Sequence, residues 1–141
     1  IDGMYRVILV SHGELAETML KTAELITGEK EHVLTFGLSL GDDVEVFREN
    51  VMKAIGEVLK NHELLLLTDI QSGSPFNVAV GAMMTHRFLH YTGMNLPMVV
   101  EALSSMEYLS LEEISAELTA LSTGSIINVN RFIKQNMQNE Q

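Results

Sequence analysis

Apolar residues along this chain alternate between short unbroken runs and longer stretches with helical spacing. The unbroken runs predict buried strands at 4–10, 32–38, 63–68 and 88–92. The stretches with helical spacing predict helices at 14–26, 42–60, 74–84, 98–105 and 110–121. Strands that alternate with helices indicate an α/β fold, a doubly wound and mostly parallel sheet with right-handed crossovers.

Polar residues mark where several of these helices begin. The predicted caps are Asp42 with Glu45, Ser110 with Glu113, and Ser74 before Pro75. After the last predicted helix, residues 125–129 favour one more strand, and residues 131–141 are expected to be a polar tail that frays.

The length and composition of the chain are those of a single globular domain. We assign residues 4–130 to this domain and interpret residues 1–3 as a cloning remnant ahead of Met4. The chain has no cysteine, and its apolar runs are shorter than the roughly 20 residues of a membrane-spanning helix. Its net charge of −10 repels nucleic acid and anionic lipid. We therefore expect a cytoplasmic protein without a nucleic-acid partner.

Two polar residues follow neighbouring strands of the expected sheet. His12 comes just after the apolar run of the first strand and precedes Gly13, which allows a tight turn, and Asp69 follows the third strand. In a sheet of order 2-1-3-4 these strands are adjacent, so their carboxyl ends meet. The aspartate would then hold one ring nitrogen of the histidine and leave the other free as a nucleophile. His12 and Asp69 are the candidate catalytic residues.

A turn that can hold an anion comes directly after Asp69. Ser72, Gly73 and Ser74 offer backbone N–H groups and hydroxyls at the start of a helix. Each feature alone is common, but nucleophile, orienting carboxylate and anion site together are typical of phosphoryl transfer to histidine.

Several other chemistries are excluded or disfavoured by missing motifs. The sequence contains neither of the glycine-rich nucleotide loops and no Gly-x-Ser-x-Gly elbow of serine hydrolases. The other histidines lack the spacing of a metal site, so we expect no metal and no cofactor and interpret them as surface or hydrogen-bonded residues: His32, His62, His86 and His90.

Five short motifs resemble a known family, and they lie in register over nearly the whole chain. They are Val-Ser-His-Gly-Glu-Leu-Ala-Glu (10–17), Gly-Asp-Asp (41–43), Leu-Thr-Asp (67–69), Gly-Ser-Pro-Phe-Asn (73–77) and Gly-Met-Asn-Leu-Pro-Met (93–98). Together they resemble the enzyme IIA component of the mannose family of the bacterial phosphoenolpyruvate-dependent sugar phosphotransferase system.

The resemblance implies a phosphoryl carrier. His12 would receive phosphate from the phosphocarrier protein HPr and pass it to a IIB domain, which serves a sugar permease in the membrane. Asp69 would orient the ring, while Gly73 and Ser74 would hold the phosphate. The resemblance also implies a homodimer, in which a last strand at 125–129 pairs antiparallel and is exchanged, and a protein peripheral to the permease complex.

The chain departs from the family pattern after Asp69. Gln71 and Ser72 stand where the family usually has an aromatic residue and a glycine. Our hypothesis is a divergent sugar-specificity branch with an altered IIB partner. Three alternatives remain: the phosphoryl-donor subunit of a dihydroxyacetone kinase, a domain whose phosphorylation serves only regulation, and a plain ligand-binding α/β domain.

Overall fold

The computed structural model describes residues 5–139, which form alternating strands and helices. The strands are β1 (Arg6–His12), β2 (Val33–Leu38), β3 (Leu64–Thr68) and β4 (Leu89–Thr92). The helices are α1 (Leu15–Thr27), α2 (Val44–Leu59), α3 (Ser74–Met83), α4 (Leu96–Ser105), α5 (Leu111–Leu121) and α6 (Val129–Asn139). Among these described helices, none combines the length and the apolar character needed to cross a bilayer.

The four strands form one parallel sheet in the predicted order β2-β1-β3-β4. The two central strands, β1 and β3, have almost no solvent-exposed residues, because helices cover both faces of the sheet. This explains why their sequences are continuous apolar runs rather than alternating ones. Register places Val10 opposite Phe36 of β2 and Thr68 of β3, so the three strands end at one edge.

The sheet divides the core into two layers. Val7, Leu9 and Leu65 point to the side of α1, α4 and α5, and they pack with Val99 and Leu103. The alternate positions of the same strands face α2 and α3, where the packed residues include Ile8, Val10, Leu66, Phe47, Val51, Val78 and Ala82. Side chains of β1 at even positions therefore point toward α2 and α3, and His12 continues that series.

The cap of α2 lies one residue later than predicted. Asp43 is the N-cap, and its Oδ1 accepts hydrogen bonds from the N–H groups of Glu45 and Val46 at 2.8 and 3.4 Å. Asp42 instead accepts the N–H of Ser39 at 2.7 Å and closes the preceding turn. Two consecutive aspartates can each fill the capping position, and only the turn geometry distinguishes them.

The other predicted helices begin at the expected residue or within two residues of it. Ser110 caps α5 in the predicted capping box. For α3, Gly73 is the N-cap and Ser74 already belongs to the helix. Asn95 caps α4, which begins at Leu96 rather than at residue 98. The first predicted strand extends further than expected, to His12, and the interpretation of residues 1–3 falls outside the described residues.

The region after α5 corrects the sequence analysis. Residues 125–129, predicted to be a last strand, contain no β-structure in the described chain, and Val129 begins α6. Residues 131–139 are helical instead of frayed, because Asn128 accepts the N–H of Arg131 and apolar residues recur at helical spacing. All side chains of α6 are at least partly open to solvent, and its apolar side chains are exposed: Val129, Phe132, Ile133 and Met137.

Candidate active site

His12 and Asp69 meet at the carboxyl edge of the sheet, as the strand order predicts. Nδ1 of His12 lies 2.9 Å from Oδ2 of Asp69. The Asp69 side chain is 7% exposed, whereas that of His12 is 47% exposed. A buried carboxylate therefore holds the inner ring nitrogen, and the outer part of the ring is accessible from solvent.

The carboxylate of Asp69 accepts two backbone hydrogen bonds besides its contact with the His12 ring. Its Oδ2 also accepts the backbone N–H of His12 at 2.9 Å, and its Oδ1 accepts the N–H of Ile70 at 3.0 Å. Burial by itself would raise the pKa of Asp69, but the hydrogen bonds from His12 and Ile70 and the proximity of the imidazole outweigh it, so the pKa lies below its ordinary value. The carboxylate therefore stays ionised at neutral pH and accepts the Nδ1–H of the ring.

Gly73 lies against the other side of the imidazole. A Cβ atom added at this glycine would lie 2.8 Å from Nε2 of His12 and 2.9 Å from Cε1, and the backbone there has a φ of +87°. Both observations require glycine at this position. Nε2, the nitrogen with a free lone pair, therefore faces the start of α3.

The first turn of α3 gives the site its electrostatic character. Backbone N–H groups of a first helical turn have no partner inside the helix, and the helix dipole favours an anion there. Of the three predicted phosphate-binding residues, Gly73 touches the ring, Ser74 begins the helix, and Ser72 is exposed on the turn. An anionic group attached to Nε2 would be positioned beside this turn.

Two residues that the sequence analysis missed hold His12 in place. Ser11 is completely buried, and its Oγ accepts the N–H of Ala16 at 2.8 Å while donating to the carbonyl of His12 at 3.0 Å. Gly37 of β2 pairs with Ser11, and a side chain at Gly37 would collide with the carbonyl oxygen of Gly13. A glycine that interrupts an apolar strand signals such a close backbone approach, so Gly37 was detectable in the sequence.

An open cleft of about 540 Å³ lies beside His12, on the side of the β2–α2 loop. Leu38 and Val44 line its walls, the fully exposed Leu40 stands at its rim, and Asp42 contributes a carboxylate. A partly apolar and acidic opening therefore lies beside His12.

The remaining histidines lie away from this opening or form hydrogen bonds with other residues. Nε2 of His62 lies 3.1 Å from Nη2 of Arg6 at the amino end of the sheet, and His32 is exposed. His90 is partly buried and hydrogen-bonded to Thr68. Within residues 5–139, no group of three histidine or acidic residues has the geometry to hold a metal ion.

Comparisons with known proteins agree on one family. A family model described as the PTS system fructose IIA component matches residues 6–119. The fructose-specific EIIA component of the PTS from Bacillus subtilis is 28% identical over 123 residues, covering 86% of this chain and 84% of that protein. The solved EIIA component from Streptococcus agalactiae superposes with a TM-score of 0.81 at 26% identity, covering 91% of this chain and 99% of that one.

A longer relative is more similar over a shorter stretch. The mannose-specific EIIAB component of Escherichia coli is 33% identical over 104 residues, which cover 72% of this chain and 32% of that protein. The chain thus matches about a third of the length of that relative.

The parallel sheet, its strand order and these matches define a phosphotransfer component of a sugar transport system. Within that class, the chain belongs to the mannose family of PTS enzyme IIA components, which confirms the resemblance found in the sequence.

The lowered pKa of Asp69 predicts a pH-dependent contribution to stability. A carboxylate with a depressed folded pKa stabilises the protein above its unfolded pKa of about 3.9, and the effect is lost as the pH falls through the folded pKa. We expect Asp69→Asn to lower the free energy of unfolding by on the order of 1–2 kcal/mol at pH 7. The difference from wild type, measured by urea unfolding, should shrink toward pH of about 3.

The control for this measurement is Glu117→Gln, which changes an exposed carboxylate of α5 in the same chemical way. A difference between Asp69→Asn and wild type that stays constant from pH 7 to pH about 3 would contradict the assigned ionisation of Asp69.

Proposed function

We propose that this protein is a phosphoryl carrier that accepts phosphate on Nε2 of His12 from phospho-HPr and passes it to a IIB domain. The observation that supports this most directly is the 2.9 Å contact of Nδ1 with the ionised Asp69, which leaves Nε2 free at the N-terminus of α3. The proposed site of action is the cytoplasm, where the IIB domain would deliver phosphate to a sugar entering through a permease.

The transfer needs only the groups already described. The Nε2 lone pair attacks the phosphorus atom, the new N–P bond forms as the bond from phosphorus to the donor breaks, and the bonding electron pair returns to the donor. The phosphorylated ring keeps its Nδ1–H and becomes cationic, and the Asp69 carboxylate stabilises that charge. The first turn of α3, with Gly73 and Ser74, holds the phosphoryl oxygens, and the exposed Ser72 extends this cradle.

The test is intact mass after incubation with phosphoenolpyruvate, enzyme I and HPr. Wild type should gain one acid-labile phosphate, and His12→Ala should gain none because the nucleophile is missing. The control is His32→Asn, which replaces an exposed histidine with a residue that tolerates its φ of +67°, and it should be phosphorylated like wild type.

Three other outcomes separate the alternatives. Phosphate on wild type that persists in His12→Ala would place the reaction at another residue and refute the proposal. If wild type gains no phosphate from HPr but does so from the donor of a dihydroxyacetone kinase system, that alternative replaces it. With no phosphate from either donor, the ligand-binding interpretation remains.

Residues at the rim of the site bear on the choice of IIB partner. Ile70, Gln71 and Ser72 are exposed next to Asp69, so a docking protein meets them directly. Because Gln71 replaces the usual aromatic surface, we expect slow phosphotransfer to a standard mannose-type IIB domain, and we expect Gln71→Trp with Ser72→Gly to accelerate it. Transfer as fast as that of a relative with the usual residues, measured by rapid quench, would refute the altered partner.

We also propose that the protein is a homodimer built on its C-terminal apolar segment. Ile126 is 94% exposed, and α6 presents Val129, Phe132, Ile133 and Met137 to solvent. An isolated helix of this length is marginal in water, so α6 needs a covering surface, and a second copy supplies an equal apolar face.

Light scattering tests the dimer. The full chain should have the mass of two copies at micromolar concentration, and a chain that stops after Gly124 should have the mass of one. A monomeric full chain, or a dimer that survives the truncation, would contradict this assignment. Substitution of the exposed Leu25 on α1 by Ser is the control and should leave the dimer intact.

A further inference from the structure

His90 is a partly buried histidine on β4 that the proposed transfer does not use. Its Nε2 lies 2.8 Å from Oγ1 of Thr68, the last residue of β3. Its ring packs against Phe76, the third residue of α3, with centroids 5.5 Å apart and planes tilted by 44°. His90 therefore contacts two of the structural elements that supply the active site, β3 and α3.

Each of the two residues that His90 contacts is close in the chain to a residue of the site. Thr68 is completely buried and immediately precedes Asp69, and Phe76 follows Gly73 by three residues in the same helical turn. The contacts and the short chain segments between them form a closed ring: His12, Asp69, Thr68, His90, Phe76 and Gly73.

Thr68 has no evident substitute for its partner. Among the described residues, the hydroxyl of Thr68 hydrogen-bonds to Nε2 of His90, whereas the hydroxyl of Thr92, opposite Thr68 in the β3–β4 register, is buried without making a bond to it. Replacing His90 by an apolar residue removes the hydrogen bond that the buried Thr68 hydroxyl makes, and the end of β3 loses this link to β4.

The charge state of His90 fits this role. Burial lowers the pKa of His90, so the ring is neutral near neutral pH. A neutral imidazole forms a hydrogen bond with the Thr68 hydroxyl and places no positive charge near Asp69, whose carboxylate binds the ring of His12.

We propose that His90 is a positioning residue for phosphotransfer, which fixes the end of β3 relative to the first turn of α3 and so sets the distance between the His12 ring and the helix N-terminus. This inference rests on the proposed function, because it concerns the geometry of the same transfer. It predicts an effect on the rate of the chemical step rather than on partner binding.

The experiment compares His90→Leu, His90→Gln and Thr68→Val in single-turnover phosphotransfer from phospho-HPr. His90→Leu should lower the maximal rate at saturating donor by roughly tenfold or more, and leave the half-saturating donor concentration nearly unchanged. His90→Gln, which keeps a hydrogen-bonding group, should recover most of that rate. Thr68→Val, which has nearly the same shape without the hydroxyl, should resemble His90→Leu.

A double variant separates positioning from general damage. If His90 acts through Thr68, His90→Leu combined with Thr68→Val should be no slower than the slower single variant. The matched control is His62→Leu, which removes the hydrogen bond to Arg6 at the opposite edge of the sheet. It should reduce stability in urea without changing the transfer rate.

The outcomes are distinct. Wild-type rates for His90→Leu, equal losses for His90→Leu and His90→Gln, or rate losses that multiply in the double variant would overturn the inference while leaving the phosphoryl carrier in place. Absence of phosphate on the wild-type chain would overturn the proposed function and this inference together.

Discussion

The hydrogen bond between Nδ1 of His12 and Asp69 is the interaction on which the site depends. It joins β1 to β3 at the point where both strands end, and it is made by a carboxylate that is itself held by backbone N–H groups. Because the carboxylate is buried and ionised, the imidazole has one fixed tautomer and one fixed orientation. The ring that we propose as the nucleophile is thus oriented before any partner binds.

The surrounding fold maintains that orientation from several directions. Ser11 and Gly37 fix the turn that follows His12, and Gly73 brings α3 against the ring without a side chain. These contacts come from secondary-structure ends and not from long loops, so they depend on the register of the sheet. A parallel sheet with both faces covered is a rigid support for such a constellation.

Much of this could be predicted from the sequence because the relevant signals are local. Continuous apolar runs located the strands, and the expected order of those strands brought His12 and Asp69 together. His90 was interpreted only as a surface or hydrogen-bonded residue, because its contacts with Thr68 and Phe76 depend on the register of β3 and β4 and on the position of α3, which no local pattern contains. Gly37 interrupts an apolar strand and was detectable, but its close approach to Gly13 follows from the register of β1 and β2. Residues 125–129 are rich in β-branched side chains, yet no strand of the described chain pairs with them, so β-propensity alone misled.

The occupied inner nitrogen of His12 has a kinetic consequence. Since Asp69 holds Nδ1, the transfer that we propose requires a single ring nitrogen to take up the phosphoryl group and also to give it away. Under that proposal, donor and acceptor proteins compete for the surface around His12 and are not bound together. Such a carrier would work by ping-pong kinetics, in which an excess of the unphosphorylated acceptor slows its own supply.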